Sequence, residues 1–150
     1  MLVKELLARK ASDAVYTVTP DQSVFDAVTK MVRHNVGAML VVQHEKLVGI
    51  ITERDYLKLV TVKGRTARDT PVHEVMTRAV IYLTPEATLE EAMAIVTEKR
   101  IRHLPVLADH AIAGVLSIGD LVSAMAHKRE MHIRILEEYI ADDYPGPNRT

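Results

Sequence analysis

Sliding the chain against itself by 65 residues, with no gap, lays two halves over each other that carry the same residues in the same order. Ala14-Val15 falls on Ala79-Val80, Thr19-Pro20 on Thr84-Pro85, Ala27 on Ala92, Val41 on Val106, Gly49 on Gly114 and Asp55 on Asp120. Conservative pairs fill the spaces: Val24 with Leu89, Val36 with Ile101, Ile50-Ile51 with Val115-Leu116, and Thr52 with Ser117. An internal repeat constrains the fold more than any local signal, because both copies must form one supersecondary unit and then bury each other's open surface.

Each copy reads as β-α-β-β-α. A β-branched segment, Val15 to Val18 or Val80 to Leu83, ends in Thr-Pro. An amphipathic helix follows, with Val24, Ala27, Val28 and Met31 at helical spacing in one copy and Leu89, Ala92, Met93 and Val96 in the other. Next come two short apolar strands, Ala38 to Val42 with Leu47 to Ile51, and Leu104 to Leu107 with Ile112 to Leu116. Polar turns at Gln43 to Lys46 and Ala108 to Ala111 join them, and a second helix closes each copy. The expectation is an α/β (α+β) fold in which two β-α-β-β-α repeats, each with a small three-stranded sheet, pack as a pseudo-twofold pair.

Residues 1–62 are expected to form the first unit with an N-terminal helix, 63–71 a linker, and 72–150 the second unit with an extended C-terminal helix. Thr61 to Pro71 has no apolar periodicity and predicts an exposed connection. After Asp120 the helical pattern runs on through Leu121, Met125, Ile133, Leu136, Tyr139 and Ile140 to a stop at Pro145-Gly146. Surplus apolar helix predicts a partner surface.

With 150 residues, 48% of them apolar, the chain can bury about two thirds of its unfolded surface in a core of its own. One Phe and no Trp make that core aliphatic. Nineteen basic against twenty acidic residues leave a formal charge of −1, which gives no field for a nucleic-acid backbone. No apolar run approaches the roughly 18 residues that span a bilayer, and Met1 to Lys10 mixes Lys4, Glu5, Arg9 and Lys10 among its leucines. A cytoplasmic protein without membrane or nucleic-acid partners is expected. The absence of cysteine excludes disulfides, thiolate nucleophiles and cysteine-ligated zinc.

The chemistry concentrates in Gly49-Ile-Ile-Thr-Glu-Arg-Asp55 and Gly114-Val-Leu-Ser-Ile-Gly-Asp120. Glycine at a strand end lets a ligand approach the backbone, and the hydroxyl residue then opens a helix. That helix N-terminus suits a phosphate, while the carboxylate three residues on can accept both hydroxyls of a ribose. The same Thr/Ser-x-x-Asp spacing also describes a capping box that binds nothing. Arg102 and His103 could equally be a solvated strand edge. His127 and His132 lie five apart, off the spacing of one helical face, and read as solvent-facing rather than as metal ligands. The methionines read as core filling, Lys128-Arg129 as a solvated face, and no nucleophile turn is present.

This repeat unit, with Arg102-His103-Leu104-Pro105-Val106 before the second motif, resembles the CBS domain over about residues 12 to 126. The resemblance implies a non-catalytic regulatory pair that binds AMP, ADP, ATP, NAD or S-adenosylmethionine between its halves and forms homodimers. It also implies two crossed half-sites. Asp120 would share one with Ala14, Val36, Gly37, Ala38 and Ser117. Asp55 would share the other with Thr52, Val80, Ile101, Arg102 and His103.

Arg54, Arg102 and His103 are the side chains most able to meet phosphate oxygens. Gly37-Ala38 stands where the second copy has Arg102-His103, so the Asp55 site is expected to bind phosphates more tightly, and NAD or ATP could reach across both. Sensing further requires two arrangements that the ligand distinguishes, and a regulated partner protein. The alternative is a dimerisation scaffold without a ligand. An enzyme acting on a nucleotide would need a general base or metal site that the sequence does not display.

Overall fold

The computed structural model describes residues 1–10 and 14–143. The helix stop expected at Pro145-Gly146 lies outside them. In chain order the elements are α1 (Val3–Arg9), β1 (Thr17–Val18), α2 (Val24–His34), β2 (Ala38–Gln43), β3 (Lys46–Thr52), α3 (Glu53–Thr61), a 3-10 turn at Val72–Glu74, α4 (Leu89–Lys99), β4 (His103–Ala108), β5 (Ala111–Ser117) and α5 (Ile118–Asp143).

The two middle helices start where their caps dictate. Ser23 Oγ accepts from the Asp26 amide at 3.0 Å, and Thr88 with Glu91 forms a reciprocal capping box. Their apolar stripes turn inward and bury Val24, Ala27 and Met31 on α2, and Leu89, Ala92 and Val96 on α4. Both helices end on a left-handed residue, Asn35 at φ 52 and Arg100 at φ 54. Asparagine tolerates that conformation. Arginine pays a steric penalty of roughly 1–2 kcal/mol for it.

The hairpins turn on His44-Glu45 and Asp109-His110, all four with positive φ, the pattern of a two-residue turn that follows the natural strand twist. Matching irregularities at Val41/Val42 and Val106/Leu107 keep the two hairpins in register with each other across the repeat. In the first repeat β1 runs parallel to β2, pairing Thr17 with Leu40 and Val18 with Val41, so the sheet order is β1-β2-β3.

The second repeat departs from the expected three strands. Its sheet is β4-β5 alone, and the segment expected at Val80 to Leu83 is reduced to one parallel bridge between Leu83 and Val106. Leu83 N–H donates to the Pro105 carbonyl at 2.9 Å, and Leu107 N–H donates to the Leu83 carbonyl at 2.8 Å. The cause is Pro105, which occupies the position of Leu40 and has no N–H to extend the ladder.

Each half lends its lead-in segment to the other. Residues 1–7 dock on the second repeat, where Val3 N–H donates to the Ala87 carbonyl, Lys4 N–H to that of Pro85, and the Met1 carbonyl accepts from Leu89 N–H. Residues 70–76 repeat the arrangement on the first, where Val72 N–H donates to Gln22, His73 N–H to Pro20, and the Thr70 carbonyl accepts from Val24 N–H. The matching residues, such as Val3 with Val72 and Lys4 with His73, are 69 apart rather than 65. The N-terminal helix expected to go with residues 1–62 therefore packs on the second repeat. Its Val3 and Leu6 join Leu89, Leu104, Leu116 and Leu121 in one core, while Val72 and Met76 join Val24, Val41, Ile51 and Leu59 in the other.

This exchange corrects two sequence-based expectations. The expected linker is exposed over Thr61 to Thr66 and at Arg68 and Asp69, but it is tied down from Ala67 onward: Thr70 is buried, the Ala67 carbonyl accepts from Phe25 N–H, and the Arg68 guanidinium lies 3.8 Å from the Phe25 ring centre. The repeated glycines face the exchanged segments. A Cβ on Gly49 would lie 2.5 Å from Met76 Sδ, and one on Gly114 would lie 2.7 Å from Leu7 Cδ2. Their lack of a side chain makes room for packing, where the sequence suggested room for a ligand.

Candidate functional site

Both Thr/Ser-x-x-Asp motifs cap the helix that follows. Asp55 Oδ2 accepts from the Thr52 amide at 2.9 Å, and Asp55 N–H donates back to Thr52 Oγ1 at 3.3 Å. Asp120 Oδ2 accepts from the Ser117 amide at 2.8 Å, and Asp120 N–H donates to Ser117 Oγ at 3.1 Å. The capping reading is thus realised at both sites, and it uses one oxygen of each carboxylate.

The two surroundings differ. Asp55 opens into a cleft of about 700 Å³ between the β3–α3 junction of the first repeat and the α4–β4 junction of the second. Every residue expected at the Asp55 site lines it: Thr52, Arg54, Asp55, Val80, Ile101, Arg102 and His103. Gly37 joins them from the other expected set, with its Cβ position 3.4 Å from His103 Cε1. The walls include Ile50, Leu57, Val80, Ile81 and Ile101.

Sequence reasoning missed Glu53, Lys58, Lys99 and Arg100, which also line the cleft. The run Lys99-Arg100-Ile101-Arg102-His103 was the available signal for the last two. Arg54, Lys58, Lys99, Arg100 and Arg102 set five cations against the carboxylates of Glu53 and Asp55. That local excess contrasts with the formal charge of −1 for the whole chain. Arg100 is also the left-handed cap that ends α4, as Asn35 ends α2. His103 is half-buried, and burial holds its imidazole below the ordinary 6.5; the Glu53 carboxylate opposes this and Arg102 adds to it.

Asp120 is not among the residues lining that cleft, and it is paired instead with a lysine. Lys10, at the end of α1, places Nζ 3.1 Å from Asp120 Oδ2 and donates to the Val115 carbonyl at 2.6 Å. Burial pushes the Asp120 carboxyl up, but the Ser117 amide and the Lys10 ammonium together outweigh it and leave it below its ordinary value. A second cavity of about 470 Å³ beside it is lined by Leu6, Arg9, Lys10, Asp120, Ser123, Ala124 and His127.

Of the expected Asp120 set only Asp120 lines that cavity. Val36 packs against the first core, Ala38 opens β2 opposite Thr52, Ser117 is the cap of α5, and Ala14 is exposed. His127 and His132 are exposed, and among the described residues no three His, Asp or Glu side chains converge as metal ligands.

The CBS domain model matches twice, at residues 3–62 and 72–127. The chain belongs to the CBS domain family. This CBS pair is 44% identical over 131 residues to the "CBS domain-containing protein CBSX3, mitochondrial" of Arabidopsis thaliana, across 84% of this chain and 64% of that one, so the match spans under two thirds of the relative's length. Among solved structures, the CBS domain protein NE2398 superposes with a TM-score of 0.79 at 48% identity, over 84% of this chain and 98% of that one.

Two ligand-bound CBS structures also match. The CBS domain pair of protein MJ0100, in complex with 5'-methylthioadenosine and S-adenosyl-L-methionine, has a TM-score of 0.75 at 26% identity over 85% of this chain and 98% of that one. CBSX2 in complex with AMP has a TM-score of 0.67 at 27% identity over 77% and 90% of the two chains. Among the described residues no helix is long and apolar enough to cross a membrane.

Proposed function

We propose that this CBS pair is a non-catalytic regulatory module that binds a phosphate-bearing adenine nucleotide in the Asp55 cleft and relays its occupancy to a partner protein. The observation that carries this reading is the composition of the cleft: a ribose-competent carboxylate, aliphatic walls and five cations, drawn from both repeats. The second oxygen of Asp55 is left to accept ribose hydroxyls, Val80 and Ile101 offer flat surface to adenine, and Arg54, Arg102 and His103 face the phosphates.

The cation excess favours AMP, ADP, ATP or NAD over S-adenosylmethionine, whose sulfonium is itself positive. AMP in CBSX2 and the S-adenosyl ligands of MJ0100 support an adenine compound in general. The reading places the protein in the cytoplasm, with α5 beyond the family match, where Met131, Ile133, Ile135 and Leu136 are exposed, as the surface offered to the regulated protein.

The scaffold alternative draws on the same exposed apolar residues but leaves the cationic cleft without a purpose. Thermal unfolding with AMP, ADP, ATP, NAD, S-adenosylmethionine and GTP separates the two readings. At a hundredfold excess over Kd a bound nucleotide adds about 2.7 kcal/mol, which shifts the midpoint by several degrees, and Asp55→Ala should abolish the shift. No shift with any adenine compound would put the scaffold reading ahead.

A further inference from the structure

The two aspartates are capped alike but differ in what else touches them. Asp120 Oδ2 carries an ammonium, Lys10 Nζ at 3.1 Å, and that ammonium is anchored again on the Val115 carbonyl at 2.6 Å. Lys10 and Asp120 are 28% and 30% exposed, and Lys10 takes the same Oδ2 that the cap uses, so a ribose reaching the second oxygen would have to share the carboxylate with an ammonium.

The origin of the difference is a length difference between the repeats. Six residues separate Leu7 from Ala14, whereas two separate Met76 from Ala79, which is why the lead-in segments match at 69 and the bodies at 65. Lys10 falls in the four-residue surplus and has no counterpart near Asp55. Helix α1 is pinned by Val3 and Leu6 in the second core, so the lysine at its C-terminal end is delivered to Asp120 by the fold.

From this we infer that Lys10 is a built-in occupant of the Asp120 half-site, a positioning residue that limits each chain to one nucleotide. It acts as an internal counter-ion: its positive charge lowers the carboxylate's demand for the hydroxyls that a ribose would bring. Gly37, which the repeat would assign to the Asp120 side, lines the Asp55 cleft instead, consistent with one working site. This inference rests on the nucleotide reading of the Asp55 cleft.

Isothermal titration of the full chain with AMP tests it, with thermal unfolding as the check that each variant folds. The wild type and Lys10→Arg should bind one AMP per chain, an event lost in Asp55→Asn and kept in Asp120→Asn. Lys10→Met should bind two, and Lys10→Met with Asp120→Asn should return to one. Two sites per chain in the wild type, or a single site in Lys10→Met up to millimolar AMP, would overturn the inference while leaving the Asp55 reading intact. Absence of binding in the wild type and every variant would reject both.

Discussion

His103 stands at the opening of β4, where the second repeat faces Gly37 and Glu53 of the first. Because burial lowers its folded-state value while the unfolded chain keeps 6.5, the unfolded state binds more protons in the interval between the two. Stability is therefore complete above 6.5 and falls as pH drops through 6.5 towards the lower folded value. His103→Gln should flatten that part of the profile, measured by urea unfolding between pH 7.5 and 5, and an unchanged slope would show that His103 does not carry it. The repeated motif made Asp55 legible in the sequence, and the resemblance to the CBS domain did so for Arg102 and His103, whose counterparts in the first repeat are Gly37 and Ala38. Lys10 was not legible, because its role follows only from where the exchanged α1 comes to rest.

Helix α1 and the Val72–Glu74 turn show how elements depart from sequence order. The repeat exposed α2, α4 and both hairpins because caps, turn residues and apolar spacing are local signals. The exchange of lead-in segments stayed hidden: its signature is a short match, Val3-Lys-Glu-Leu-Leu against Val72-His-Glu-Val-Met, at a different offset from the rest. The shortened third strand of the second repeat was readable in principle from Pro105 against Leu40.

The exchange also gives the glycines distinguishable costs. At Gly49 a Cβ would meet Met76 Cγ and the Thr77 backbone carbonyl at 3.0 Å as well as Met76 Sδ, whereas at Gly114 it meets only the end of the Leu7 side chain closely. Gly49→Ala should cost about 1–3 kcal/mol in urea unfolding and Gly114→Ala less. If Gly49→Ala kept full stability and lost nucleotide binding, the glycine would belong to the ligand after all.

At the scale of the molecule, pseudo-twofold symmetry places equivalent apolar residues on the outside. Leu57 and Val122 are 56% and 53% exposed, and Val60 and Met125, also 65 residues apart, are 41% and 37% exposed. A matched patch on α3 and α5 fits a homodimer built on self-complementary faces. We propose this dimer as the expected outcome of sedimentation on the wild type, and Val60→Glu with Val122→Glu should reduce it to a monomer that circular dichroism shows to be folded; a wild-type monomer would refute this.

The central claim is that the Asp55 cleft receives the nucleotide, and a crystal structure of the protein grown with AMP tests it most directly. The account predicts AMP between the two repeats, with its ribose hydroxyls on Asp55, adenine against Val80 and Ile101, its phosphate towards Arg102 and His103, and Lys10 still paired with Asp120. AMP bound elsewhere while the cleft stays empty, or a ribose on Asp120 with Lys10 displaced, would contradict it.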